Sequence, residues 1–225
     1  MLQVVIDNNV VADHNDVNDN FRYAGRSMRT RPYHHGNLRT ALLEQAERTV
    51  RERGVHALSL RELAREIGVS HGAPRRHFPD RQALLDALAE MGFARLEAEL
   101  RAAAAGARDN FAARAHATAA AYLRFATDDA ALLELMFAGK RRETSGTLHV
   151  AADRAFSVML DVIRQGQDEG ALEPGDPERI GLVLFATLQG IAALVSAGIV
   201  AAEERDDVLA DALAQFVSPI HTRSE

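Results

Sequence analysis

Residues Leu58 to Phe78 read LSLRELAREIGVSHGAPRRHF. Leu60, Leu63, Ala64 and Ile67 recur at spacings of three and four, which puts them on one face of a short helix. Ser59 and Glu62 occupy the N-cap and N3 positions of a capping box at its start. Gly68-Val69-Ser70 breaks the pattern, and a turn there calls for the positive φ that glycine tolerates. Ser70 then caps a second short helix, expected over His71–His77, with Pro74 early enough that its missing N–H costs least. Two short helices joined by a glycine-containing turn make a helix-turn-helix. Ala64 is small where the helices cross, while Ile67 and Val69 plug the space between them. The second helix is left to present Ser70, His71, Arg75, Arg76 and His77 to solvent. Arginine's planar fork matches phosphate and guanine edges, and free N–H groups at a helix start attract phosphate. The same geometry also serves a helical hairpin with a solvated basic face, so these residues alone leave both readings open.

The flanks continue the helical pattern. Upstream, Leu38, Ala41, Leu42, Ala46, Thr49 and Val50 form one face of a helix from Asn37 that stops at Gly54. Downstream, Asp80 caps a long helix carrying Leu84, Leu85, Leu88, Met91, Phe93, Leu96 and Leu100, which runs to about Ala105. Five more helices are expected at about Asn110–Thr127, Asp129–Ala138, Gly146–Gln167, Asp176–Val200 and Glu203–Val217, with Asp176-Pro177 supplying an N-cap and Pro at N1. No alternation of strand type is sustained, so the chain reads as all-α. Three parts are expected: an acidic flexible tail over 1–28, a helix-turn-helix domain over 29–90, and a larger domain of about six helices over 91–225.

Composition narrows the function classes. The chain has 225 residues, 47% hydrophobic and 26% charged, with no Cys, no Trp and a formal net charge of -6. The absence of Cys removes disulfides, thiolate zinc sites and thiol nucleophiles. No G-x-S-x-G, Walker A or H-E-x-x-H pattern is present, His71 and His77 do not share a helical face, and neither a catalytic site, a metal site nor a cofactor is expected. Residues 29–91 carry eleven Arg against eight acidic groups, a locally basic segment on an acidic chain. Phosphate attraction acts over about one Debye length, so local charge counts for more than the total. No apolar run reaches about 18 residues without polar or glycine interruption, and a soluble cytoplasmic protein with no membrane partner is expected.

Tyr33-His34-His35-Gly36-Asn37-Leu38-Arg39, Arg53-Gly54, Leu58-Ser59-Leu60-Arg61-Glu62-Leu63-Ala64, Gly68-Val69-Ser70, Ala73-Pro74 and Arg76-His77-Phe78-Pro79-Asp80 keep an order and spacing that resembles the opening of TetR/AcrR-family transcriptional regulators. The likeness covers about residues 33–90. It implies a three-helix DNA-binding domain on an all-helical domain that binds a small effector and dimerises. By resemblance, Arg61, Ser70, His77 and Arg81 match phosphate-holding positions, and His71, Gly72, Ala73 and Arg76 lie where base edges are met. The family usually has Tyr where this chain has Arg75, a residue equally able to hold phosphate or reach guanine. For Arg61 the competing role is an ion pair with Glu62 or Glu66, and for Arg81 a pair with Asp80 or Asp86.

Leu132 to Phe137 and Phe185 to Leu194 resemble one C-terminal subtype of the family, with Gln189 where that subtype often has His. Candidate effector contacts are Phe93, Phe111, His116, Tyr122, Phe125, Met136, Phe137, Phe156 and Met159, with His116 and Tyr122 as orienting polar groups. Each of these also fits a plain core. The helix at about 176–200 is apolar on most of its circumference and must be covered on several sides. By resemblance it joins the helix at about 203–217 in a homodimer, whose two-fold axis matches a palindromic operator on double-stranded DNA. The resemblance thus implies a repressor released by a small molecule of unknown identity. The competing reading is a helical small-molecule-binding adaptor that has lost operator binding.

Overall fold

The computed structural model describes residues 38–107, 110–140 and 146–216. The expected tail over 1–28, the opening motif at 33–37 and Val217 lie outside the described residues. Eight α-helices and three single 3-10 turns organise the described part: α1 (Leu38–Arg53), α2 (Leu60–Glu66), α3 (Arg81–Gly106), α4 (Phe111–Asp128), α5 (Ala130–Lys140), α6 (Gly146–Asp168), α7 (Pro177–Ser196) and α8 (Arg205–Ala214). The all-α expectation is met, with no strand among the described residues.

The elements begin and end for local reasons. Asp80, Asn110 and Asp176 each accept a hydrogen bond from a backbone N–H of the first turn of α3, α4 and α7, and Pro177 sits at the start of α7. Gly54 and Gly68 take φ of 78° and 74°, which a Cβ would disfavour, and so end α1 and turn the chain after α2. The expected capping box does not form: Ser59 is the extended N-cap of α2, but its hydroxyl makes no capping bond, and Glu62 pairs with Arg65 one turn along. The next correction is larger. The helix expected over His71–His77 is one 3-10 turn, Pro74–Arg76. Pro74 has no N–H to give to Ser70, and the local bonds run mainly from residue i+3 to i (Ala73 to Ser70, Arg76 to Ala73, His77 to Pro74). Near the C-terminus, α7 stops at Ser196 rather than Val200, because Gly198 and Ile199 fold back onto the carbonyls of Val195 and Leu194. The last helix starts with the 3-10 turn Ala202–Glu204 and ends at Ala214.

One continuous core runs through the described residues. Leu42, Leu63, Phe78, Leu84 and Leu88 are buried at its α1–α2 end, and Phe93, Leu100, Tyr122, Met136, Leu148 and Leu188 in the larger part. The 26-residue α3, about 39 Å long at 1.5 Å per residue, belongs to both ends. The expected boundary at residues 90–91 therefore lies in mid-helix. Four rings, Phe93, Phe137, Phe156 and Phe185, chain together with neighbouring centroids 5.1–6.4 Å apart, and Tyr122 meets Phe185 edge-on at 5.7 Å.

Candidate DNA-reading surface and effector cavity

Beside α2, the start of α3 closes a concave surface of about 480 Å3. Arg61, His71, Arg75 and Arg81 line it, together with Asp80 and the Leu58–Leu60 backbone segment. Three guanidiniums thus face one carboxylate, and Asp80 is already committed to the Ala83 N–H at 2.8 Å. The other nearby acids are also engaged. Glu62 pairs with Arg65. Glu66 takes Arg53 at 2.7 Å and the Gln45 amide at 2.9 Å, and the Arg53 hydrogen bond holds its carboxyl below the usual carboxylate range. Asp86 accepts from Gln82 at 2.7 Å. Arg61, Arg75 and Arg76 consequently have no acidic partner among the described residues.

Pro74 and Phe78 are buried and anchor the turn, so Arg75 and Arg76 between them point outward. Ser70, His71, Gly72 and His77 are exposed and Ala73 is half-buried. Arg75 therefore joins Arg61, His71 and Arg81 at the concave wall, whereas Ser70, Gly72, Ala73, Arg76 and His77 lie outside it. Arg81 makes neither of the ion pairs weighed for it. Its Nε donates to the Leu58 carbonyl at 3.0 Å and a terminal nitrogen to the Val55 carbonyl at 2.6 Å. Sequence reasoning missed Arg39, whose guanidinium lies over the Phe78 ring, 5.4 Å from its centroid. The signal available was an exposed Arg on the helix that packs against an aromatic of the turn.

In the larger part, α4, α6, α7 and α8 border a partly open cavity of about 40 Å3. Phe111, Ala115, Thr118 and Ala119 of α4 form one wall, and Met159, Ile163, Leu184 and Leu213 are among the residues opposite. Its lining is almost wholly apolar, because the Thr118 hydroxyl is turned onto the Arg114 carbonyl at 2.8 Å. Of the nine expected effector contacts, Phe111 and Met159 line this cavity. Phe156 and Met159 border an open groove of about 270 Å3 between α6 and α7. Phe93, Phe125, Met136 and Phe137 face neither space and pack instead in the core, Phe125 beneath the Arg95 guanidinium at 4.7 Å. His116 is half-exposed and also borders neither space. Tyr122 is buried in the ring cluster, and its hydroxyl has no hydrogen-bond partner among the described residues. Burial pushes that hydroxyl's pKa well above the ordinary tyrosine value. Phe93, Tyr122, Phe137 and Phe156 are taken up by one another and by Phe185, which a helical period alone does not reveal.

One side of α7 is left uncovered by the described residues. Leu182, Val183 and Leu194 are exposed, alongside Ala186, Gly190, Ala193 and Ala197. By length and composition α7 would also be long and apolar enough to cross a bilayer, a property its interruptions had argued against in the sequence. Here its inner face packs on α4, α6 and α8.

This arrangement, a short helix followed by a glycine turn and a one-turn recognition segment on a helical body, is that of a DNA-binding regulator fold. Residues 42–88 match the model of bacterial regulatory proteins of the tetR family, and residues 115–217 match the tetracyclin repressor-like C-terminal domain. The chain belongs to the TetR family of transcriptional regulators. A protein of unknown function from Rhodococcus sp. RHA1 is 45% identical, with a TM-score of 0.77 over 83% of this chain and 96% of its own. The TetR-family transcriptional regulator PfmR from Thermus thermophilus shares the fold at 19% identity, with a TM-score of 0.61 over 79% of this chain and 99% of its own. So does a proposed transcriptional regulator from Saccharomonospora viridis solved with choline, at 21% identity and a TM-score of 0.65 over 82% and 100% of the two chains. No curated protein matches the chain.

Proposed function

We propose that this regulator acts in the cytoplasm as a homodimeric repressor that reads a palindromic operator and is released by a small apolar effector. The observation that carries the DNA part is the unpaired cationic wall: Arg61 and Arg75 share a concave surface with His71 and Arg81, while the neighbouring acids are bonded elsewhere. Arg75 and Arg61 hold phosphates in this reading, and Arg76, beside the groove with Ser70 and His77, meets base edges. Arg81 orders the surface through its carbonyl bonds and has a free edge for phosphate. The uncovered side of α7 supports the dimer, since Ala186, Gly190 and Ala193 allow a second α7 to approach closely. The outward side of α8 carries Asp206, Asp207 and Asp211, so α7 supplies most of the apolar contact.

The interior cavity is the effector site of this reading. Its lining selects an apolar, uncharged molecule, since a charged ligand would lose its hydration with nothing to replace it. Its volume of about 40 Å3 holds only a few water-sized groups, so an effector must push its walls apart. A ligand that prefers the expanded form shifts the population of DNA-competent protein.

Titrating DNA binding against salt tests the proposal. Several phosphate contacts predict a steep linear fall of log affinity with log salt. The adaptor reading draws support from the reduction of the recognition segment to one turn, and it predicts no binding even at low salt.

A further inference from the structure

Glu47 and Arg51 of α1, Arg95 of α3, and Asp129 between α4 and α5 form one charge-balanced cluster. Arg51 reaches Asp129 at 2.7 Å and Glu47 at 3.1 Å. Arg95 pairs with both acids, and its Nε is buried without a hydrogen bond, 3.5 Å from the Glu99 carboxylate. The cluster is no loose surface pair: the Asp129 and Glu47 side chains retain 13% and 19% of their exposure. The Arg95 guanidinium is stacked on Phe125, and hydrogen bonding to Asp129 raises the Arg51 pKa.

Position gives the cluster its meaning. The α1–α2 end of the molecule is joined to the rest by the continuous α3 and by packing of α1 and the Val55–Ala57 turn on α5. A single attachment along α3 would leave rotation about that helix. The cluster pins the second attachment. Its acid Asp129 directly follows α4, and the N-terminal half of α4 supplies Phe111, Ala115, Thr118 and Ala119 to the cavity wall. Ala115 and Asp129 are about 21 Å apart along the chain at helical rise.

We infer that the Glu47–Arg51–Arg95–Asp129 cluster is the joint that sets the angle of the DNA-reading bundle, with α4 as the rod that carries displacement of the cavity wall to it. Arg95 and Asp129 are positioning residues, since they line neither the cationic wall nor the apolar cavity. This deepens the proposed function and rests on it. An expanding cavity shifts α4 along its length, Asp129 leaves the two guanidiniums, and the bundle turns away from half-site register. Packed interfaces with discrete arrangements transmit displacements in this way.

The test uses the full-length dimer with Asp129→Asn, and Arg51→Gln as a gentler variant because that side chain is half-exposed. Four duplexes serve as probes: the selected inverted repeat, the same repeat with one and with two base pairs inserted at its centre, and a single half-site. The wild type should prefer the native spacing. Both variants should lose affinity for the native repeat, by about tenfold for Asp129→Asn, narrow the gap to the respaced duplexes, and keep half-site affinity. Unchanged spacing preference, or equal loss on the half-site, overturns the joint. Hydrogen exchange without DNA is the second readout: amides of α1 should exchange faster in Asp129→Asn while those of α6 do not, and equal protection of α1 also overturns it. If the wild type binds none of the duplexes, the DNA-binding reading fails, and the exchange measurement still decides whether the cluster holds the bundle.

Discussion

Arg81, the first residue of α3, donates from Nε to the carbonyl of Leu58 at 3.0 Å, and a terminal nitrogen goes on to Val55. Two carbonyls of the segment ahead of α2 are thereby tied to the start of the long helix. The bond fixes where α2 sits relative to the recognition turn. Arg81→Met should lower stability by about 1–2 kcal/mol, since two charge-assisted bonds are lost at an exposed site. Arg81→Lys should recover less than half of that, because an ammonium cannot span both carbonyls in the guanidinium geometry. Urea denaturation of the two variants checks both figures.

Arg75 and Arg76 are adjacent and should behave differently. Arg75→Ala should weaken binding on all sequences alike and reduce the salt slope by about one contact. Arg76→Ala should cost about 1–3 kcal/mol on the preferred operator and relax preference at one base position. Competition binding on single-base operator variants separates the two. Uniform weakening by both would reassign Arg76 to phosphate.

Much of this was legible in the sequence, for physical reasons. Helix starts at Asp80, Asn110 and Asp176 follow from side chains able to accept N–H groups, and the turn at Gly68 follows from a backbone need. The all-α architecture followed from period and composition. The length of the recognition segment was not legible, because one missing N–H at Pro74 tipped a balance between α and 3-10 bonding. Effector contacts were least legible. Phe93, Phe137, Phe156 and Phe185 sit on four different helices, and each fits its helix's apolar pattern whether it lines a cavity or fills a core; here they mostly pack on each other.

Gly190 offers a clean probe of the dimer. A Cβ there meets nothing within 4 Å in the protomer, so Gly190→Leu should stabilise an isolated α7 by roughly 0.5–1 kcal/mol through helix propensity. It should also hold two α7 helices apart. Analytical ultracentrifugation should therefore show a weaker dimer from a variant that remains folded. An unchanged dimer would move the interface off this face.

The cavity should be dry and apolar. Xenon added to the protein should perturb the Met159 methyl resonance, as expected when gas enters an empty apolar space. Ala119→Leu should fill the space and abolish the shift. A xenon response that survives this substitution would place the binding space elsewhere.

Glu66 has its carboxyl pKa depressed by Arg53. A depressed acid contributes stability that is present above its ordinary value of 4.5 and lost as pH falls through the lowered one. Glu66→Gln should thus cost under about 1 kcal/mol at pH 7, as expected of a surface pair. The gap to the wild type should close below pH 4.5. Denaturation midpoints measured across that range give the comparison.

Selection of random duplexes by the purified protein at one fixed, low salt concentration decides whether the cationic wall reads an operator. Enrichment of an inverted repeat whose half-sites are centred about one helical turn, or a multiple of it, apart is the expected result. Failure to enrich any sequence, together with retention of no DNA at that salt, would contradict it.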